Sequence, residues 1–233
     1  AGAILHYLES SEKKKLSHIN KISRIHLDQY VWLDQFTIRN LELVYSNHPS
    51  GIPLSQILDK TVTPMGARLL KKWILLPLTD LTKINTRLDI VDILKKSPLI
   101  SEELDVELKG ISDLERIIAK VALGKVNPRE IYNIRNSLIR IPDIKCLFEE
   151  EESPALYSML SQLALLPEVI SKIEQSINPE APVNLNKGGV IADGYHQELD
   201  DLRDIIGNSK GHLQKLLEQE TEKTTIANLK VGF

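Results

Sequence analysis

Thr61-Val62-Thr63-Pro64-Met65-Gly66-Ala67-Arg68-Leu69-Leu70-Lys71-Lys72-Trp73-Ile74-Leu75-Leu76-Pro77 writes both ends of a helix into one short stretch. The Thr63 hydroxyl can accept a free N–H of the first turn, and Pro64 suits the first helical position, where its missing N–H costs nothing. Pro77 forbids continuation and pushes Leu76 away from helical angles. Leu69, Leu70, Trp73 and Ile74 recur at three- and four-residue spacing, which predicts one shared buried face and makes them candidate core residues.

The same punctuation recurs outward from that helix. Asp34 predicts a cap for a helix through Leu43, and Leu54 to Leu58 reads as a short helix. Asp80 predicts a cap for a helix that buries Ile84, Leu88, Val91 and Leu94. Ser112-Asp113-Leu114-Glu115 has the spacing of a capping box, opening a helix through Leu114, Ile117, Ile118 and Val121 that ends at Gly124. Asn127-Pro128-Arg129-Glu130 repeats the pattern for a helix through Ile141. Pro142, Pro154 and Pro167 then punctuate further short helices, with Glu149 to Glu152 in a solvated connection. The spacing has no fixed period, which disfavours a solenoid.

Two regions depart from this rhythm. Upstream, Ser10 to Lys15 reads as a charged loop, while His26-Leu27-Asp28 and Tyr30-Val31-Trp32-Leu33 suggest two short extended segments. Downstream, the turn-rich run from Pro179 to Asp193 is the clearest break, followed by one long polar helix from Tyr195 to Thr225. Leu199, Leu202, Ile206, Leu213 and Leu216 mark a heptad seam on it, interrupted at Ser209 and failing at Glu220 and Lys223. Such an arm packs near its base and projects toward its tip. Asn228 to Phe233 reads as an emerging strand. The predicted class is mainly α: a multi-helix core bundle over 1–190, and over 191–233 a long projecting helical arm ending in the start of a small β element.

Composition agrees and excludes much. At 233 residues the chain can bury a sizeable core. Its 42% apolar residues include only 5% aromatics, a balance that suits helix-on-helix packing better than a sandwich. Net charge of −3 does not by itself mark a nucleic-acid binder. One cysteine, Cys146, allows no internal disulfide and predicts a reduced, cytoplasmic setting. No apolar run nears the ~20 residues of a membrane span. Ala1 to Leu8 lacks the basic lead of a signal peptide and reads as a helix cut on its N-terminal side.

No catalytic constellation emerges. The six histidines form no H-E-x-x-H or comparable ligand pair. No G-x-x-x-x-G-K-[ST] phosphate loop and no G-x-S-x-G elbow occurs, and Gly188-Gly189 is a turn signal only. Neighbouring pairs such as Glu102/Glu103 and Asp200/Asp201 splay apart on a helix. The chain is not expected to be an enzyme, and no catalytic or metal-ligating residue is assigned.

The wording of these segments resembles a known family. T-V-T-P-M-G-x-R-L-L-K-x-W-x-x-x-P-L over residues 61–78, and L-D-x-x-T-x-R-N-L-E-L over 33–43, resemble the central core domain of the MutS family of DNA mismatch repair proteins. Ile84 to Asp89, Asp113 to Arg116 with Ala119, and Pro128 to Glu130 follow in the family's order. Gly188 to Ala192 with Gly194-Tyr195 and Glu198 to Asp200 is similar to the entry of its clamp arm, and Leu229 to Phe233 to its first clamp strand.

The resemblance implies a lever core with the first leg of a clamp. Duplex DNA would be held at the clamp tip by backbone contact, with Lys230 as the nameable contact. It places a mismatch-reading domain with a Phe-x-Glu wedge before Ala1, and an ATPase domain with its Walker lysine beyond Phe233. ATP and Mg²⁺, a homodimer, mismatched DNA and a downstream repair factor of the MutL type then belong to the full-length protein. Arg39, Asn40, Arg68 and Arg87 are scaffold residues on this reading, Arg39 tying down a nearby backbone group or carboxylate. A helical interaction module with a coiled-coil arm, and the family's recombination-associated relative, are the alternatives. The terminal strand separates the first of these from the main reading.

Overall fold

Helices follow one another through the computed structural model, which describes residues 2–10 and 27–224. They are α1 (Gly2–Ser10), α2 (Gln35–Asn40), α3 (Leu54–Leu58), α4 (Pro64–Leu75), α5 (Leu81–Lys96), α6 (Pro98–Lys109) and α7 (Leu114–Ala122). After them come α8 (Pro128–Leu138), α9 (Ile141–Cys146), α10 (Pro154–Ser161), α11 (Pro167–Ser176), α12 (Gln197–Gly207) and α13 (Ser209–Thr224). No sheet forms among the described residues; two antiparallel bridges join Tyr30 to Leu78 and Ile177 to Ile191.

Side-chain caps explain six of the starts. Thr63 Oγ1 accepts the Gly66 N–H at 3.0 Å, Asp34 accepts that of Thr37 at 2.7 Å, and Asp80 accepts that of Thr82 at 2.9 Å. Asn127 and Glu130 complete a reciprocal capping box, at 2.8 and 3.1 Å. α7 ends as predicted: Gly124 adopts φ 65°, its N–H reaches Val121 O, and the Lys125 N–H reaches Lys120 O.

Other expectations are corrected. The box at Ser112 does not form. Asp113 is the cap of α7, accepting the Arg116 N–H at 3.3 Å, while the Ser112 N–H goes to the buried Ser137 hydroxyl at 3.0 Å. α2 stops at Asn40, short of Leu43, because Glu42 turns to φ 48° and closes the helix through Glu42 N–H to Arg39 O and Leu43 N–H to Ile38 O. α8 ends at Leu138, short of Ile141. α6 was not predicted: Ser97 alone both ends α5 and starts α6, with Pro98 in the first position. Leu27–Gln29 is a 3₁₀ turn, not a strand. The long arm helix starts at Gln197 and is broken at Asn208. His26, most of the charged run after Ser10, Lys230 and the terminal strand lie outside the described residues.

The core sits elsewhere than the periodicity suggests. Ile144 and Phe148 from α9 and the turn after it meet Leu156 of α10, which is 1% exposed. Ile93 and Leu94 of α5 and Ile100, Leu104 and Leu108 of α6 close around them. Elsewhere α8 packs on α7 and α11, and α3 on α4. Of the predicted core residues, Leu69 (47%), Trp73 (40%), Leu88 (58%) and Ile118 (58%) are exposed, as is Val91. Leu70, Ile74 and Leu114 are half-buried, and Ile117 is the buried residue of α7. Spacing establishes that apolar groups share a face, not that this stretch of chain supplies its cover. Trp73 is covered in part by Arg87, whose guanidinium lies 3.6 Å from the ring centroid.

Candidate functional site

Beside the apolar core, several arginines and a lysine tie helices to one another. Arg68, on the first turns of α4, projects to α7, where it meets Asp113 at 2.6 and 2.9 Å and Glu115 at 2.6 and 3.0 Å. The two carboxylates raise the guanidinium pKa further above its ordinary value, and Arg68 in turn holds the Asp113 carboxyl below the usual carboxylate range. Arg140 reaches Glu107 on α6 at 2.8 Å, passing directly over Gly110, where a Cβ would lie 2.0 Å from its Nε. Arg135 on α8 forks onto Glu174 of α11, and Lys120 on α7 pairs with Glu130 of α8, drawing that carboxyl down as well.

A further arginine fastens the start of α12 to the chain that precedes it. Ile177, just past α11, pairs with Ile191, with Asn178 N–H to Val190 O at 2.9 Å and Ala192 N–H to Ser176 O at 3.1 Å. Gly188, Gly189 and Gly194 take φ of 70°, 67° and 81°, which L side chains rarely adopt, so the chain reverses there. From α12, Arg203 reaches back to Asp193 at 2.7 Å, to the Ile191 carbonyl at 2.8 Å and to Asp200 at 3.1 Å. Asp200 also accepts the Gly194 N–H at 2.8 Å. The G-G-V-I-A…G-Y…E-L-D segment is thereby drawn into one polar knot. Arg203 was missed in the sequence; its only signal there is the three-residue spacing from Asp200.

Arg39 donates from Nε to the Asn47 side chain at 3.2 Å, and Asn47 donates back to the Arg39 carbonyl at 3.0 Å. The tie is thus to an amide, where a backbone group or carboxylate was expected. Glu42 holds the same loop, accepting the Asn47 N–H at 2.8 Å and the Ser46 hydroxyl at 3.2 Å. Among the described residues, no three or more His, Cys, Asp or Glu side chains come together as a metal would need. No helix of the described residues is long and apolar enough to cross a membrane. Gly188 and Gly189 lead into the bridge at Ile191 and not into a helix N-terminus, so these residues do not fit a nucleotide's phosphates.

Comparison with known proteins agrees with this all-helical scaffold. Residues 36–229 match the family model for MutS domain III. Over its whole length the chain is 45% identical to the DNA mismatch repair protein MutS of Cytophaga hutchinsonii. It is likewise 45% identical over 232 residues to that of Christiangramia forsetii and 43% over 233 residues to that of Bacteroides fragilis. The chain spans 27% of the length of each of these relatives. Fold, motif order and whole-length identity converge: this chain belongs to the MutS family of DNA mismatch repair proteins and carries its domain III.

Proposed function

We propose that the chain is the mechanical relay of a mismatch-recognising ATPase, with residues 1–190 as lever core and 191–233 as the first leg of a DNA-holding clamp. The observation that carries this reading is the knot at Arg203. A side chain that grips Asp193, Asp200 and the Ile191 carbonyl ties the first turns of the arm to a segment bridged to the core at Ile177. A rotation of the core is then passed to the arm instead of being absorbed at its base, and a load on the arm acts back on the core. DNA is held through phosphates, Lys230 among the donors, so affinity is salt-sensitive and blind to sequence. ATP and Mg²⁺, dimerisation and recruitment of a MutL-type factor belong to other parts of the whole protein.

Two measurements test the reading. The purified chain is titrated with matched and mismatched duplexes over a range of salt, and assayed for ATP turnover. Weak, salt-dependent binding without mismatch preference and without turnover is expected; mismatch-selective binding overturns the reading. In the full-length protein, Arg203→Ala should lower the stimulation of ATP turnover by DNA while basal turnover persists, and unchanged stimulation counts against the relay.

A further inference from the structure

The arm helix is interrupted at one residue, and four features coincide there. Asn208 leaves the helical region (φ −121°, ψ 41°) while its N–H still closes α12 onto Asp204 O at 2.8 Å. Its side chain lies over the third position of α13: a Cβ on Gly211 would come within 2.6 Å of Asn208 Oδ1 and 2.8 Å of Nδ2. Asn is among the strongest N-cap residues, and the third helical N–H is one of the donors a cap satisfies. Gly207 precedes it, with open space where a side chain would stand. The seam of Leu199, Leu202, Ile206, Leu213 and Leu216 has its one polar position at Ser209, beside the break.

These features favour the interruption without enforcing it. Gly207, Asn208 and Gly211 are poor helix formers, but each can occupy a helix interior, and Asn208 stands exposed. Two arrangements are open to the same residues. In one, Asn208 stands outside the helix with its side chain over Gly211; in the other, α12 and α13 run as a single helix and the seam is continuous. We propose that Gly207 to Gly211 is a joint that exchanges between these two states, so that the outer arm moves relative to a base held by Arg203. The inference rests on local backbone geometry and holds whether or not the tip contacts DNA.

Gly211 provides the discriminating substitution. Alanine there collides with the Asn208 side chain as it lies in the broken arrangement yet is favoured in a continuous helix, so it penalises only the broken state. Spin labels are placed at Glu198→Cys and Glu218→Cys, both exposed, in a Cys146→Ser background, and their separation is measured by pulsed dipolar spectroscopy. A continuous helix sets the labelled backbone positions about 30 Å apart. The starting protein should give a two-component distribution, one component near that length and one shorter. Gly207→Ala/Asn208→Ala/Gly211→Ala should collapse it onto the longer component, with increased helical circular dichroism to confirm folding, and Gly211→Ala alone should move it the same way. Asn208→Asp, which keeps the shape and an N-cap acceptor at this position, should leave both components. A single narrow distribution in the starting protein, at either length, overturns the joint, as does a distribution that the triple substitution leaves unchanged. No DNA is present, so failure of the joint is separable from failure of the relay.

Discussion

Arg68 holds Asp113 by the same carboxylate that caps α7: its two Nη groups lie 2.6 and 2.9 Å from the oxygens, one of which also accepts the Arg116 N–H at 3.3 Å. One side chain thus starts a helix and binds it to α4. Asp113→Ala removes both contacts, Asp113→Asn keeps an acceptor for the cap, and Arg68→Ala removes only the bridge. Asp113→Ala should therefore lower the melting temperature most, by about 2–4 °C, as for the loss of a helix cap in a chain this size. Equal losses for the alanine and asparagine variants would contradict the double role.

The depressed carboxyls of Asp113 and Glu130, with those of Asp34 and Asp59, contribute to the acid limb of stability. Their folded pKa values lie below the unfolded ones, so the unfolded chain binds protons more readily. The stabilisation is complete above the unfolded carboxylate range, about 4, and is lost as pH falls through the folded values. Melting temperature should hold level from neutral pH to about 5 and fall below 4. An Asp113→Asn/Glu130→Gln chain should fall less steeply; an identical acid limb would assign the effect to other groups.

Burial separates Leu156 from Leu88, for which spacing alone predicts a core position. Leu156→Ala empties a fully enclosed site and should cost about 2–5 kcal/mol, whereas Leu88→Ala, on a face left open to solvent, should stay within about 0.5 kcal/mol. Urea denaturation of the two variants measures both. A comparable loss for Leu88 would mean that its face is covered in solution.

Glu42 is the one described non-glycine residue with positive φ, at 48°, a conformation that costs a non-glycine residue about 1–2 kcal/mol. Its carboxylate offsets this by holding Ser46 and Asn47. Alanine loses the bonds and keeps the strain, while glycine loses the bonds and relieves it. Glu42→Ala should thus be less stable than Glu42→Gly, the reverse of the usual order. Thermal melts of the pair decide it.

Trp32, Phe36, Leu81, Leu88, Ile118 and Ile206 all stand well exposed, more large apolar surface than a monomer of this size usually leaves in water. The chain should associate with itself as concentration rises. Light scattering that reports a constant monomer mass across a wide concentration series would exclude this.

What the sequence discloses here is local. Thr63, Asp34, Asp80 and Asn127 cap the helices expected of them because each contact closes within three residues. The α6 start was hidden because Ser97 makes no side-chain cap and α5 runs directly into it. Trp73 and Leu88 read as core because periodicity reports amphipathicity, and only the packed chain says which apolar faces meet. The Arg135–Glu174 pair was illegible for a related reason: α8 and α11 are distant in sequence, and no spacing rule spans that separation. Arg203 showed only its spacing from Asp200, because its ties to Asp193 and Ile191 depend on how the intervening turn folds back.

Ser97, alone between α5 and α6, bears on the order in which the domain assembles. Its N–H bonds to Ile93 O, its carbonyl receives the Ser101 N–H, and the Ser101 hydroxyl reaches Leu94 O at 2.7 Å, so the corner closes within nine residues, 93 to 101. A loop that short closes on the timescale of tens of nanoseconds, far faster than a ribosome adds one residue. The α5–α6 hairpin can therefore form while the rest of its core is still being translated, and it waits with Ile93, Leu94, Leu104 and Leu108 uncovered until Ile144, Phe148 and Leu156 emerge. During that interval the nascent chain exposes apolar side chains that the finished core covers.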